Sequence, residues 1–273
     1  MKRLDVYLAE NHICRSRSVA VRLIKKGCVL VDGRKICQPS FSVADTAQIV
    51  LTDDAAVETE FVGRGGKKLK KALSVFDIDL SGAVCIDIGA STGGFTDCML
   101  QNGAARVYAV DVGTGQLAPS LCRDPRVVNM EKTNIRSLNP DSLEKADFIS
   151  CDVSFISLKY VFPVMQALLK PTGCAVCLVK PQFEAGKNLI GKNGIVKDPK
   201  IHQRVLLRVM NEAQCAGLVP LRLAYSPIRG GDGNIEYLLY LRAQDTDEAA
   251  IDIQSVVASA HRELEGECHA GGN

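Results

Sequence analysis

The sequence predicts an α/β protein in two parts: a small N-terminal α+β domain, then a doubly wound, largely parallel sheet with an antiparallel edge strand. Three observations predict it. Charge and turn signals crowd into the first ~60 residues and then change character. From about residue 83, apolar strand-like runs alternate with helix-like stretches, the pattern of repeated βα units. A glycine-rich turn, residues 87–96, joins the first of those runs to the helix after it. The 273 residues are 47% hydrophobic and 23% charged. That composition can bury a core and excludes disorder, collagen and a small disulfide scaffold. No apolar run approaches the ~20 residues of a membrane span. The longest, residues 160–169, is interrupted by Pro163 and Gln166. The N-terminus carries charges where a signal peptide needs an apolar core. A soluble, cytoplasmic protein is expected.

In the N-terminal part, Leu4, Tyr7 and Leu8 recur at i, i+3 and i+4 and predict a short amphipathic helix. Ser16 or Ser18 can cap a second helix. It carries Val19, Leu23 and Ile24 on one side, turns Arg22, Lys25 and Lys26 to solvent, and ends at Gly27. Residues 28–31 read as a strand, Asp32-Gly33 as a hairpin turn, and residues 35–37 as the returning strand, stopped by Pro39. Residues 48–51 are a last strand. Gly63-Arg-Gly-Gly66 marks a hinge, and residues 67–75 restart as a helix. In the larger part, strands are expected at 84–88, 106–110, 127–130, 148–151, 174–179, 221–225 and 237–241. Helices are expected at about 95–101, in a stretch ending near 170, and at 202–216. The last two strands have no helix between them, which makes one an antiparallel edge partner. The expected divisions are 1–60, a basic linker 61–71, a sheet domain 72–245, and a C-terminal helix with a frayed tail, 246–273.

Net charge is only +2, but it is unevenly spread. Residues 1–40 hold nine Lys or Arg against three acids, residues 41–60 hold five acids and no Lys or Arg, and residues 64–71 hold five bases. Two basic clusters suit a polyanion partner, although a solvated face explains charge alone equally well. The candidate contacts are Arg3, Arg15, Arg17, Arg22, Lys25, Lys26, Arg64 and Lys67. The eleven cysteines are scattered through apolar segments, as reduced thiols used for packing would be. Cys174 and Cys177 stand three apart in a strand, so their sulfurs point to opposite faces, and the four histidines have no ligand spacing. No metal site is expected.

The turn Asp87-Ile-Gly-Ala-Ser-Thr-Gly-Gly-Phe95 follows a strand and opens a helix, where α/β sheets bind nucleotide-like ligands. It matches neither the dinucleotide fingerprint nor a Walker loop. It holds no Lys or Arg, while Asp87 enters it and Asp111, 24 residues on, ends the next strand. Two carboxylates without a base disfavour a pyrophosphate. They suit S-adenosyl-L-methionine, which has a ribose, a positive sulfur and no phosphate. Candidate contacts are Gly89, Ala90, Ser91, Thr92, Gly93, Gly94, Phe95 and Asp111. A glycine turn used only for strand-to-helix packing is the plain alternative.

Other strand ends select the chemistry. Asp152 follows the fourth strand, Lys180 the fifth, Glu236 opens the last, and Lys68 lies in the helix before the first. Lysines beside carboxylates can orient a ribose 2′-oxygen and stabilise developing alkoxide charge. Taken singly, each could be a solvated cap or turn residue. Exocyclic-amine methylation would call for Asn- or Asp-Pro-Pro-aromatic where this chain has Asp152-Val-Ser-Phe155. Cytosine-carbon methylation needs a nucleophilic cysteine, and Cys151 reads as a buried strand end.

These residues also carry a resemblance. Arg3-Leu-Asp-Val-Tyr-Leu8, Ser16-Arg17, Leu23-Ile24, Gly27-Cys-Val-Leu-Val-Asp-Gly33 and Pro39-Ser40 resemble the S4 RNA-binding domain. The remainder resembles the Rossmann-like FtsJ methyltransferase fold. Their order, with Arg64-Gly-Gly-Lys-Lys-Leu69, Asp152-Val-Ser-Phe-Ile-Ser157 and Lys180-Pro-Gln-Phe-Glu184, is similar to the TlyA (hemolysin A) family over about residues 3–242. The resemblance implies ribose 2′-O-methylation of cytidine in ribosomal RNA or ribosomal subunits, with Lys68, Asp152, Lys180 and Glu236 as a catalytic tetrad. Family members often carry an aromatic residue in the interdomain linker; this chain has Val62-Gly63 there. The hemolysin name brings a membrane-lytic rival, for which the sequence offers no amphipathic or spanning segment. A catalytically inactive RNA-binding protein is a third reading, against which the complete tetrad and glycine turn argue.

Overall fold

Each part of this chain folds around its own buried apolar residues. The computed structural model describes residues 1–273 except 12, 15–16, 45, 53–54, 56–59, 187–188, 192–193, 245–249, 267–273 and the side chains of 18, 265 and 266. The chain divides into two units, Met1–Val62 and Gly63–Asn273.

In the smaller unit, helix α1 (Leu4–Glu10) buries Leu4 and Leu8, and helix α2 (Arg17–Lys25) buries Val19, Ala20, Leu23 and Ile24. Both faces join Val29 and Val31 in one cluster. Gly27, at φ +71, lets the chain leave α2 and enter strand β2 (Val29–Val31). Asp32 (φ 49) and Gly33 (φ 75) form the two-residue turn that sets Val31 opposite Arg34 of strand β3 (Arg34–Lys35). Strand β5 (Ile49–Leu51) completes the sheet in the order β3-β2-β5. A second pairing, β1 (Lys2–Arg3) with β4 (Ser42–Val43), carried no sequence signal, because two-residue strands are too short to alternate. Ser18 lies inside α2 rather than capping it, and Ser16 falls outside the described residues. Arg22 is half-buried rather than turned to solvent.

The stretch expected as a linker, 61–71, instead supplies much of helix α3 (Gly65–Phe76) of the larger unit. That unit holds seven strands: β6 (Val84–Ile88), β7 (Arg106–Val110), β8 (Val127–Met130), β9 (Ala146–Cys151), β10 (Leu169–Val179), β11 (Val219–Tyr225) and β12 (Tyr237–Arg242). Their order is β11-β12-β10-β9-β6-β7-β8. β6, β7, β8, β9 and β10 pair in parallel. The edge strand β11 is antiparallel to its neighbour, as expected, while the strand that opposes the rest of the sheet is β12, one place inward. Helix α6 (Phe162–Leu168) hands straight into β10, five residues before the expected start, through a register break opposite β9 between Leu169 and Cys174.

One face of the sheet packs Ile86, Ile149 and Leu239 against Phe162 and Met165 of α6 and Val205, Val209 and Ala213 of helix α8 (Pro199–Cys215). Val257, Ala260 and Leu264 of the C-terminal helix α9 (Ile253–Gly266) join this cluster, so that helix is part of the core. On the other face, Phe76 of α3 tilts against Tyr240 of β12 with ring centroids 5.5 Å apart. Helix α4 (Gly94–Gln101) buries Phe95, Cys98 and Met99. The chain runs from β6 outward through β7 and β8, then returns to lay β9 on the other side of β6. That switch point is where open α/β sheets hold ligands.

Candidate active site

At the switch point, the turns after β6 and β9 meet at a spot only glycine fits. Gly89 has φ +84, and a Cβ there would lie 2.4 Å from the Asp152 carbonyl oxygen. The Asp152 N–H donates to Ile88 O at 2.9 Å. Gly93, at φ +91, serves differently. A Cβ would strike Leu121, so this glycine admits packing at the start of α4 rather than lining the cleft. Gly89, Ala90, Ser91, Thr92, Gly94 and Phe95 line a cleft of about 200 Å³ together with Arg64, Lys68 and Asp152.

A second cleft, of about 380 Å³, shares Gly89, Ser91 and Asp152 with the first and runs across the ends of β6 and β7. Its lining includes Asp111, Val112, Gln116, Asn134, Ile135 and Phe155, and among the described residues no Lys or Arg. Asp111 is fixed there by two backbone donors, Ser91 N–H at 2.8 Å and Gly113 N–H at 2.7 Å. Asp87, which the sequence offered as the second carboxylate facing a ligand, is fully buried. Its oxygens accept Thr96 Oγ1 at 2.7 Å and Ser150 Oγ at 2.9 Å. It ties β6 to α4 and β9 and does not line either cleft. Burial raises its pKa to about 6, against the lowering effect of those hydroxyls.

Lys68, Asp152, Lys180 and Glu236, drawn from α3 and three strand ends, meet on one rim. Lys68 Nζ donates to Glu236 Oε2 at 2.6 Å and lies 3.9 Å from Asp152 Oδ2. Lys180 Nζ pairs with Asp152 Oδ1 at 2.6 Å and donates to Ser154 Oγ at 2.9 Å. Lys68, Lys180 and Glu236 are buried, and Asp152 is partly exposed. Two lysines beside two carboxylates balance in formal charge, and their pairing offsets part of the cost of taking them out of water. Gly230 lets the loop before β12 close over Glu236, because a Cβ there would sit 2.5 Å from Glu236 Oε1.

Several residues around the rim escaped the sequence reading. Ser154 shares Lys180. Phe155 is 91% exposed at the cleft edge, in the left-handed region (φ 63) that bulky residues avoid, and its ring lies 4.9 Å from that of Phe183. Glu184, buried, accepts Ser157 Oγ and the Leu158 N–H, each at 2.8 Å, so it anchors the loop after Asp152. Burial pushes its carboxyl pKa up. The motifs around Asp152 and Lys180 contained these residues, but nothing in their spacing told which ones hold the loop.

The basic candidates separate. Arg3, Arg17 and Lys25 line a shallow cleft of the smaller unit, and Lys26 is exposed beside Lys25. Arg64 and Lys67 belong to α3's end of the larger unit, where Arg64 lines the glycine-turn cleft and Lys67 is half-buried. Arg15 lies outside the described residues. Cys151 is fully buried, as a strand end should be.

Residues 61–243 match the FtsJ-like methyltransferase family, and residues 2–49 match the S4 domain. The 16S/23S rRNA (cytidine-2′-O)-methyltransferase TlyA of Mycobacterium tuberculosis is 42% identical over 263 residues, covering 96% of this chain and 97% of that one. Hemolysin A of Brachyspira hyodysenteriae is 39% identical over 240 residues, covering 87% and 98%. A solved structure of a Streptococcus thermophilus protein with a hemolysin name superposes with a TM-score of 0.77 at 42% identity, covering 98% of each chain. An S4 domain followed by an FtsJ-like domain, with relatives this similar over nearly the whole length, makes this chain a member of the TlyA family of methyltransferases.

Proposed function

We propose that this protein transfers a methyl group from S-adenosylmethionine to the 2′-hydroxyl of a cytidine ribose in ribosomal RNA. The observation that carries the reading is the convergence of Lys68–Glu236 and Lys180–Asp152 beside Asp152's shared position in both clefts. The choice of cytidine rests on the name of the Mycobacterium tuberculosis relative.

The residues fit the cofactor. The larger cleft offers the Asp111 carboxylate for ribose hydroxyls, apolar Val112 and Ile135 for a base, and no cation that would favour a phosphate. The smaller cleft offers the open glycine turn and the start of α4, whose N–H groups suit a carboxylate. When bound, the cofactor supplies a methyl carbon activated on a positive sulfur. The chain supplies alignment and charge. Lys180 carries three N–H donors; one goes to Ser154, the ammonium is ion-paired with Asp152, and donor capacity remains for a substrate oxygen. That capacity would stabilise negative charge on the 2′-oxygen as it becomes the nucleophile, and Asp152, paired with Lys180, would receive the hydroxyl proton. Lys68 and Glu236 hold Asp152 from the other side. Phe155 stands exposed at the rim, where an extruded base would pass. Ribosomal RNA as substrate makes the cytoplasm the place of work. Among the described residues no helix is long and apolar enough to cross a membrane, and no observation favours a membrane-active role.

Calorimetric titration with S-adenosylmethionine, followed by transfer of its labelled methyl to transcribed 16S and 23S ribosomal RNA, tests the proposal. Saturable binding and label in the RNA are expected. No heat of binding together with no label would remove it.

A further inference from the structure

A carboxylate sits in the middle of the basic surface of the smaller unit. Asp5 is fully buried, yet it lies between two arginines whose side chains are 51% and 59% exposed. Arg3 meets it side-on, with Nε 3.0 Å from Oδ1 and Nη2 3.1 Å from Oδ2. Arg17 Nε donates to Oδ2 at 2.9 Å. The Arg3 hydrogen bond, opposed by burial and helped by Arg17, holds the Asp5 pKa down at about 2, so the carboxylate remains charged. The backbone completes the arrangement: Asp5 N–H donates to Pro39 O at 3.1 Å, bringing Pro39 and Ser40 to the same cleft as Lys25.

This arrangement is costly for a surface meant to attract a polyanion. Asp5 cancels one positive charge and repels phosphate. What it gives in return is geometry. Each guanidinium has its Nε edge turned to Asp5, which leaves the remaining N–H groups, a planar fork, directed away from it. A free arginine must lose its rotamer freedom on binding; these two have already lost much of it. Two fixed forks side by side, with Lys25 and Ser40 at the edge, match the non-bridging oxygens of a phosphodiester backbone.

The geometry points to Asp5 as the positioning residue of a phosphodiester-binding site, one that orients Arg3 and Arg17 as paired forks for RNA. The inference rests on the reading that this protein acts on RNA, and adds that fork geometry, not net charge, sets the affinity of this surface. The two ideas predict opposite signs. Asp5→Asn raises the net charge by one, so a surface working by charge alone binds RNA more tightly. A surface working by positioned forks binds it more weakly.

The experiment titrates the full chain with transcribed 16S and 23S ribosomal RNA across salt concentrations, for the wild type, Asp5→Asn, Arg3→Lys/Arg17→Lys, and all three changes together. Asp5→Asn should weaken binding about tenfold and flatten the salt dependence, because fewer phosphates are engaged. The lysine pair, which keeps every charge, should lose a similar factor. In the lysine background, Asp5→Asn should give no further loss, or a small gain. Unchanged or tighter binding by Asp5→Asn with the wild-type salt slope overturns the proposal. If Asp5→Asn loses the smaller unit's melting transition, the lysine pair decides alone, and its full affinity overturns it. Wild-type protein that binds neither RNA removes the RNA reading itself, an outcome distinct from wild-type binding with no effect of Asp5.

Discussion

Lys180 shows how much of a site depends on one atom's neighbours. Its Nζ lies 2.6 Å from Asp152 Oδ1 and 2.9 Å from Ser154 Oγ, while Lys180 itself lines neither cleft, so truncation removes the donor and leaves the lining residues in place. In Lys180→Ala, methyl transfer should fall by roughly 10²–10⁴, the usual worth of such a group, while S-adenosylmethionine binding stays within about threefold. Rate and calorimetric affinity measured on the same preparation check this; full transfer in the variant would contradict the assignment. Asp87 supplies a residue-scale prediction about stability. Its pKa is raised from 3.8 to about 6 by burial, so the folded state holds the proton more tightly than the unfolded chain. The stabilisation is complete below about pH 4 and is lost as pH rises through about 6. Relative to Asp87→Asn, the wild type should therefore lose up to roughly 3 kcal/mol between those values, read from urea midpoints. A parallel pH dependence in the two proteins would count against a raised pKa. Asp152, Lys180 and Glu236 could be picked out because each ends or opens a strand with a readable pattern, whereas Lys68, inside α3, joined them through the resemblance. The role of Asp87 was not legible, since the sequence could not tell that Thr96 and Ser150 would take both oxygens.

The element that matters most is the turn from β6 into α4. Its glycines do different things, and substitution separates them. Gly89→Ala puts a methyl group 2.4 Å from the Asp152 carbonyl and strains a backbone at φ +84. It should cost about 1–3 kcal/mol and also displace Asp152, so transfer falls by more than the stability loss explains. Gly93→Ala meets Leu121 and Leu117 instead and should lower stability with little change in the remaining molecules' activity. Melting curves paired with transfer rates per folded molecule distinguish the two; equal effects would mean that Gly89 serves packing alone. The long strands and helices of the sheet were legible from periodicity. The β1–β4 pairing was not, and the early start of β10 was hidden because Pro171 and Gly173 read as a break. The inward place of the antiparallel strand depends on where β12 finds a partner edge, which local pattern does not encode.

At the scale of the whole molecule, the proposed function divides between the two units, each with its own candidate residues. The smaller presents Arg3, Arg17 and Lys25 in one cleft, and the larger holds both clefts and the tetrad. Replacing Arg3, Arg17 and Lys25 by alanine should weaken RNA binding and reduce its log–log salt slope by about 2–3. S-adenosylmethionine binding should be unaffected, and a parallel loss of both affinities would contradict the separation. The two-part organisation was legible in the change of charge and pattern near residue 60, and so was a helix over 67–75, but the same basic residues were also assigned to a linker, because lysines do not reveal that Leu69, Ala72 and Leu73 among them are buried in the larger unit. The central claim is that Lys180 and its three partners direct a methyl group to a ribose oxygen of RNA. Nucleotide-resolution mapping of 2′-O-methyl groups on transcribed 16S and 23S ribosomal RNA, incubated with S-adenosylmethionine and either wild type or Lys180→Ala, tests it most directly. A ribose mark on cytidine with the wild type alone is the expected result. Methyl groups found only on bases, or a ribose mark undiminished by the substitution, would contradict it.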